Sequence, residues 1–211
     1  LFPLIGLVLG YRAVVAGRAS GTATLALSLP NSRRDLVVGK FLGRAAAFAG
    51  SLAAAGLLGG GYLLVRYGDF AAGEYAIVLL AIYGYTLAFL GIALGLSTGV
   101  ASPRRVIGAA FGLYALLAML WGTVVDTVML LLFRFQQPAE TPTWVEFARF
   151  VEPGTSLNYL LAAEFEVGMA PPAAVIGTEP FVSTAGALVA LLSWMLLPVV
   201  VGYVRFQRSE L

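Results

Sequence analysis

Asp126 is the one carboxylate inside an apolar run of this chain, so the search for chemistry starts there. An aspartyl protease working within a membrane needs two such acids, and no second one lies in a span. The chain also has no His and no Cys. That removes imidazole proton transfer, thiolate nucleophiles, disulfides, and metal or haem held by His or Cys. Gly39-Lys40 is the one pair that would suit a phosphate-binding loop. Such a loop needs a Gly five residues before the first and a Ser or Thr after the Lys. Those places hold Arg34 and Phe41, so no nucleotide is expected there. No catalytic set survives. The expectation is a non-enzymatic chain with no cofactor or metal of its own, and no nucleic-acid partner.

The elements that position these residues are set by composition. Of 211 residues 60% are hydrophobic and 11% charged, and mean hydropathy is +0.90. Ordinary soluble domains carry about 45–50% apolar and about 25% charged residues, so both values point to a bilayer. About 20 apolar residues cross a hydrocarbon core of about 30 Å. Residues 41–65, 75–97, 105–133 and 181–204 qualify, and 1–16 reads as the end of a further span. None shows strand alternation. The expected fold is therefore all-α: one polytopic transmembrane helical bundle with four full spans and part of a fifth. The opening Leu within an apolar run suggests that the natural chain extends further upstream.

Charge orients the spans, because Lys and Arg in short connectors favour the cytoplasm. Arg12, Arg18, Arg33, Arg34, Lys40 and Arg44 lie in or beside the first connector, 17–40. Arg104 and Arg105 lie in the third, and Arg205 and Arg208 in the tail, 205–211. The alternate connectors hold Arg66, Arg134 and Arg149 but eight acids: Asp69, Glu74, Glu140, Glu146, Glu152, Glu164, Glu166 and Glu179. The first connector and the C-terminus are thus expected inside, in a multi-pass plasma-membrane protein. The loop 134–180 is expected outside. Its WVEFARFVEP and SLNYLLAAEFEVG segments read as short amphipathic helices at the outer interface. Asp126 lies 20 residues beyond Val106, about 30 Å along a helix. That depth fits a wetted acid near the outer interface better than a midplane charge.

Small residues recur at helical spacing: Gly56 and Gly60; Gly91, Gly95 and Gly99; Gly108 and Gly112. Missing side chains let helix backbones approach in lipid, so packing is the expected role, with the lining of a transport path as the alternative.

The first connector has an internal grammar. Ser20-Gly21-Thr22 can start a short helix that includes Leu25, and Pro30 closes it by disfavouring helix at Leu29. Ser32-Arg33-Arg34-Asp35 fits a capping box, so a new helix should begin there and run into the next span. Headgroup anchoring explains the arginines. It does not explain two capped turns and a corner, which suit a shaped docking surface.

Here GRASGTATLALSLPNSRRDLVVGKFLGRA resembles the first cytoplasmic connector of type-2 ATP-binding-cassette exporter permeases. It is nearest the branch that includes the permease of the nitrous-oxide-reductase maturation system. Arg18, Gly21, Thr22, Ser28, Pro30, Ser32, Arg33, Arg34, Asp35, Gly39 and Lys40 fall on that family's pattern, and YVRFQRSEL resembles its basic ending. Gly17 and Ala19 stand where the family often has Glu. The resemblance implies a membrane permease that binds no nucleotide and pairs with a second permease, identical or different. A separate ATPase, carrying ATP and Mg, would dock on 17–40 and drive transport. Arg18, Ser20, Gly21, Thr22, Leu25, Pro30, Ser32, Arg33, Arg34, Asp35 and Lys40 would then couple the motor to the spans. The rival readings are a secondary carrier or channel, and a membrane anchor for an assembly factor.

Overall fold

The computed structural model describes residues 1–11, 13, 32–100, 102–136, 138, 140–164 and 179–208. The fold is all-α, with no strand among the described residues. Helix α1 is Phe2–Gly10, α2 Arg33–Tyr67, α3 Ala72–Gly99 and α4 Pro103–Ala115. A π-helical turn at Leu116–Leu120 leads into α5, Trp121–Leu132. Then follow α6 Thr143–Phe150, α7 Pro153–Glu164 and α8 Thr184–Gln207. Among the described residues four stretches are long and apolar enough to cross a membrane: Arg33–Tyr67, Ala72–Gly99, Arg104–Leu132 and Thr184–Gln207.

The elements depart from the sequence expectation in bounds rather than in type. Helix α2 has 35 residues. At about 1.5 Å per residue it is longer than a hydrocarbon core of about 30 Å, so its charged first turns have room to lie beyond the apolar part. It closes on Gly68, whose φ of 77° is the left-handed conformation that a side chain would oppose, and Gly68 N–H donates to the Leu64 carbonyl. The third span is not one uniform helix, because the π turn inserts an extra residue before Trp121 and shifts every later side chain around the axis. The opening helix is Phe2–Gly10 with Tyr11 as its C-cap, and the rest of the expected segment 1–16, apart from Ala13, lies outside the described residues.

Two compact units share the chain. The first comprises Leu1–Phe111 with Trp194–Leu211, and the second Gly112–Ser193. In the first unit α3 is the central element, with Ala88, Phe89, Leu90, Ile92, Ala93 and Leu94 all buried. Helix α1 lies on it through Gly6 and Gly10. A Cβ at Gly6 would meet the Thr86 carbonyl, and one at Gly10 the Ala93 side chain. The C-terminal part of α8 lies on α3 as well. A Cβ on Gly91 would strike the Met195 backbone, and one on Gly95 the Pro198 backbone. Gly202 of α8 reciprocates against Gly95 and Thr98. Two buried hydroxyls on this helix bond to their own turn, Thr86 Oγ1 to the Ile82 carbonyl at 2.8 Å and Thr98 Oγ1 to that of Gly95 at 2.9 Å.

The second unit joins α5, α6 and α7 with the start of α8. Phe150 and Ala187 are its buried centre, packed by Tyr159, Leu160, Phe181 and Val182. Phe150 and Tyr159 meet edge to face at 5.4 Å, and Tyr159 OH donates to the Val182 carbonyl at 3.2 Å.

Candidate functional site

The site begins where α2 begins. Ser32 is the N-cap, with extended backbone, and the expected capping box is formed. Asp35 N–H donates to Ser32 Oγ at 3.1 Å, and Ser32 N–H donates to Asp35 Oδ2 at 2.9 Å. The Ser32 hydroxyl also donates to Asp35 Oδ2 at 2.6 Å. These bonds, above all the one from the Ser32 side chain, hold the exposed Asp35 carboxyl below its usual range. Two donors that the first helical turn would leave unpaired are thus satisfied, and the entry angle of the chain is fixed.

The two basic residues that follow diverge. Arg34 is exposed. Arg33 turns back, donating to the Phe206 carbonyl and, at 3.3 Å, to the Gln207 carbonyl. Its guanidinium lies 5.1 Å from the centre of the Phe206 ring. The last carbonyls of a helix have no partner in the helix and carry its negative dipole end, so a cation there is favourable twice over. One turn later Val37 is 2% exposed and belongs to a cluster with Ala13, Leu94 and Phe206. Further along, Arg44 Nε donates to the Leu9 carbonyl of α1 at 2.6 Å, and its Nη1 to the Lys40 carbonyl at 3.0 Å. The first four turns of α2 therefore contact α8 through Arg33 and α1 through Arg44, with Lys40 half-buried between them.

Of the residues singled out from the sequence, Ser32, Arg33, Arg34, Asp35 and Lys40 are brought to this helix entry. Arg18, Ser20, Gly21, Thr22, Leu25 and Pro30 lie outside the described residues. The glycines sort by environment. Gly91 and Gly95 face the α8 backbone, and Gly99 has only ordinary contact with Gly202 and Arg205. Gly56 faces the end of the Leu79 side chain, and Gly60 faces Phe70 and Tyr75. Gly108 and Gly112 have nothing within 4 Å of where a Cβ would stand.

A second polar constellation was not assembled from the sequence. Asp126 pairs with Arg149 of α6, and Trp121 Nε1 donates to the Ala148 carbonyl at 2.6 Å. Glu152, 8% exposed, accepts from Gly154 N–H and Thr155 N–H, both at 2.7 Å, and from the Thr155 hydroxyl at 2.9 Å. These side chains line a cavity of about 270 Å³ with Leu117 and Met119. The sequence does hold a signal for part of this: Glu152-Pro153-Gly154-Thr155 is an acid one residue before a helix-starting Pro. The Asp126–Arg149 partnership has no such signal, because the π turn decides which way Asp126 points. Gly6 and Gly10 were not singled out from the sequence, although they share the i, i+4 spacing of the pairs that were. The Phe206 carbonyl as a partner for Arg33 was not.

Long apolar helices entered through a capped basic turn define a polytopic helical membrane protein. All 211 residues match the family described as ABC-2 family transporter protein. The chain belongs to that family and is a membrane subunit of an ABC transporter. Among curated relatives, it is 26% identical to the "Probable ABC transporter permease protein NosY" of Pseudomonas aeruginosa, an alignment covering 100% of this chain and 77% of the relative. It is 27% identical to the protein of the same name from Stutzerimonas stutzeri, covering 99% and 76%.

Proposed function

We infer that the chain is the permease of an ATP-driven exporter whose ATPase is a separate polypeptide that brings ATP and Mg. The ATPase docks on the cytoplasmic connector 17–40, and its closure tilts the spans between inward and outward access. Two permease copies, or this chain and a related one, complete the path through the bilayer. On this reading the C-terminus is cytoplasmic, the protein is multi-pass in the plasma membrane, and 134–180 is the external segment.

The observation that carries the reading is the capped helix entry that closes the connector. A completed capping box starts α2, and arginines at its first and fourth turns hold α8 and α1. A push on a floppy linker is dissipated, whereas a push on a capped helix bonded to two neighbours moves all three. The family match over the whole chain supplies the class of machine.

Capture of the cognate ATPase by the full-length protein tests it. Deletion of residues 20–34 is expected to abolish capture. Undiminished capture by the deletion variant, or labelling from outside intact cells of a cysteine placed by Ser32→Cys, would contradict the assignment.

A further inference from the structure

We propose that Arg33 is a positioning residue that bolts the motor-facing entry of α2 to the end of the last span, rather than a contact for the ATPase. The inference rests on the exporter reading above and gives one of the connector's arginines a different task.

The geometry separates Arg33 from its neighbour. Arg34 is exposed, while the Arg33 guanidinium is committed to α8. Among its contacts are two backbone groups, the carbonyls of Phe206 and Gln207 at the end of a 24-residue helix. A helix-terminal carbonyl cannot rotate away, and it has lost its own intrahelical donor. The planar fork can meet two carbonyls while its face lies over the Phe206 ring, which an ammonium cannot do equally well. The bolt sits over packed apolar ground, since Phe206 is fully buried and shares a cluster with Val37. Arg44, three turns along α2, makes the equivalent contact to the Leu9 carbonyl of α1. One helix is thus fastened at the same end to the termini of two others. Displacement of the connector is delivered to α8 through Arg33, and without it α2 moves with α1 but leaves α8 behind.

The chain has no Cys, so a covalent substitute for the bolt can be installed without background. The test compares wild type, Arg33→Ala, Arg33→Lys and the pair Arg33→Cys/Gln207→Cys, each reconstituted in liposomes with the cognate cassette ATPase and MgATP. Arg33→Ala should still capture the ATPase but lower permease-stimulated hydrolysis about tenfold, a typical size for coupling between sites. Arg33→Lys should fall between the two. The double-cysteine pair should behave like Arg33→Ala until a short bifunctional thiol reagent bridges it, and bridging should restore most of the hydrolysis. A residue needed only for folding would not be rescued in that way. Loss of capture in Arg33→Ala, or a bridged pair that stays as slow as the unbridged one, would overturn the proposal. Failure of the wild type to capture any ATPase would sink the exporter reading instead. In that event the bridging yield between positions 33 and 207, measured in membranes, still judges the bolt, and negligible yield would refute it.

Discussion

At the seam between α3 and α8, Gly91 and Gly95 leave room for the backbone of Met195 and Pro198. At the corner of α5 and α6 the helices meet instead through Trp121, Asp126 and Arg149. Both solve the problem of joining helices where burial from water gives little drive. In lipid the tails are as apolar as the side chains, so close backbone approach and hydrogen bonds do the joining. The seam uses approach, and its contacts are insensitive to pH and salt. The corner uses polar side chains, and Asp126, about half exposed, can exchange its partner for water or a headgroup. A seam of this kind suits parts that must stay together, and a corner of this kind suits parts that rearrange.

Substitution at the seam should do the most damage. Gly91→Leu puts a branched side chain into the Met195 backbone and should cost about 3 kcal/mol or more. Thermal unfolding in detergent, followed by size-exclusion chromatography, checks it. A wild-type-like profile would mean that α3 and α8 tolerate separation and that the seam is not close-packed. Next in size is Glu152→Ala, which strands the N–H groups of Gly154 and Thr155 at the start of α7. A loss of about 2 kcal/mol is expected from cap removal and unpaired donors. Faster amide exchange at the start of α7, without change in α3, would localise it.

The ion pair ranks lower. Asp126→Asn should cost about 1 kcal/mol, since the pair is partly exposed. The swap Asp126→Arg/Arg149→Asp should recover much of that in a double-mutant cycle. No recovery would show that the two residues act separately. The smallest effect is expected at Gly108 and Gly112. Open space surrounds both, so Gly→Ala there should leave the isolated chain unharmed, or stabilise it by about 0.5–1 kcal/mol through helix propensity. A large loss would instead reveal a contact beyond this chain.

Local rules read from the sequence carried well where their cause is local. The Ser32–Asp35 box needs only four consecutive residues, and it formed. Apolar runs of span length became the long helices, because in a bilayer a continuous apolar segment must satisfy its backbone internally. The two short helices after the third span likewise followed from residue spacing. Glycine spacing was less decisive. Gly91 and Gly108 each head an i, i+4 pair, yet one is pressed against backbone and the other faces open space. Spacing places two residues on one face but does not say what that face meets. The positions 18, 20–22, 25 and 30 of the connector lie outside the described residues, so their coupling role stands on the resemblance and the proposal above.

The sequence by itself determined the all-α class, the long apolar helices, the capped entry of α2 and the absence of His and Cys. These depend on composition and on interactions within a few residues. Only the tertiary structure decided that Arg33 would hold the end of α8 while Arg34 stayed exposed, and that Arg44 would reach α1. It alone supplied the π turn and gave Asp126 to Arg149. Neighbouring arginines have the same charge and nearly the same propensity. What separates them is the hundred-degree step of a helix and the surface each step happens to face.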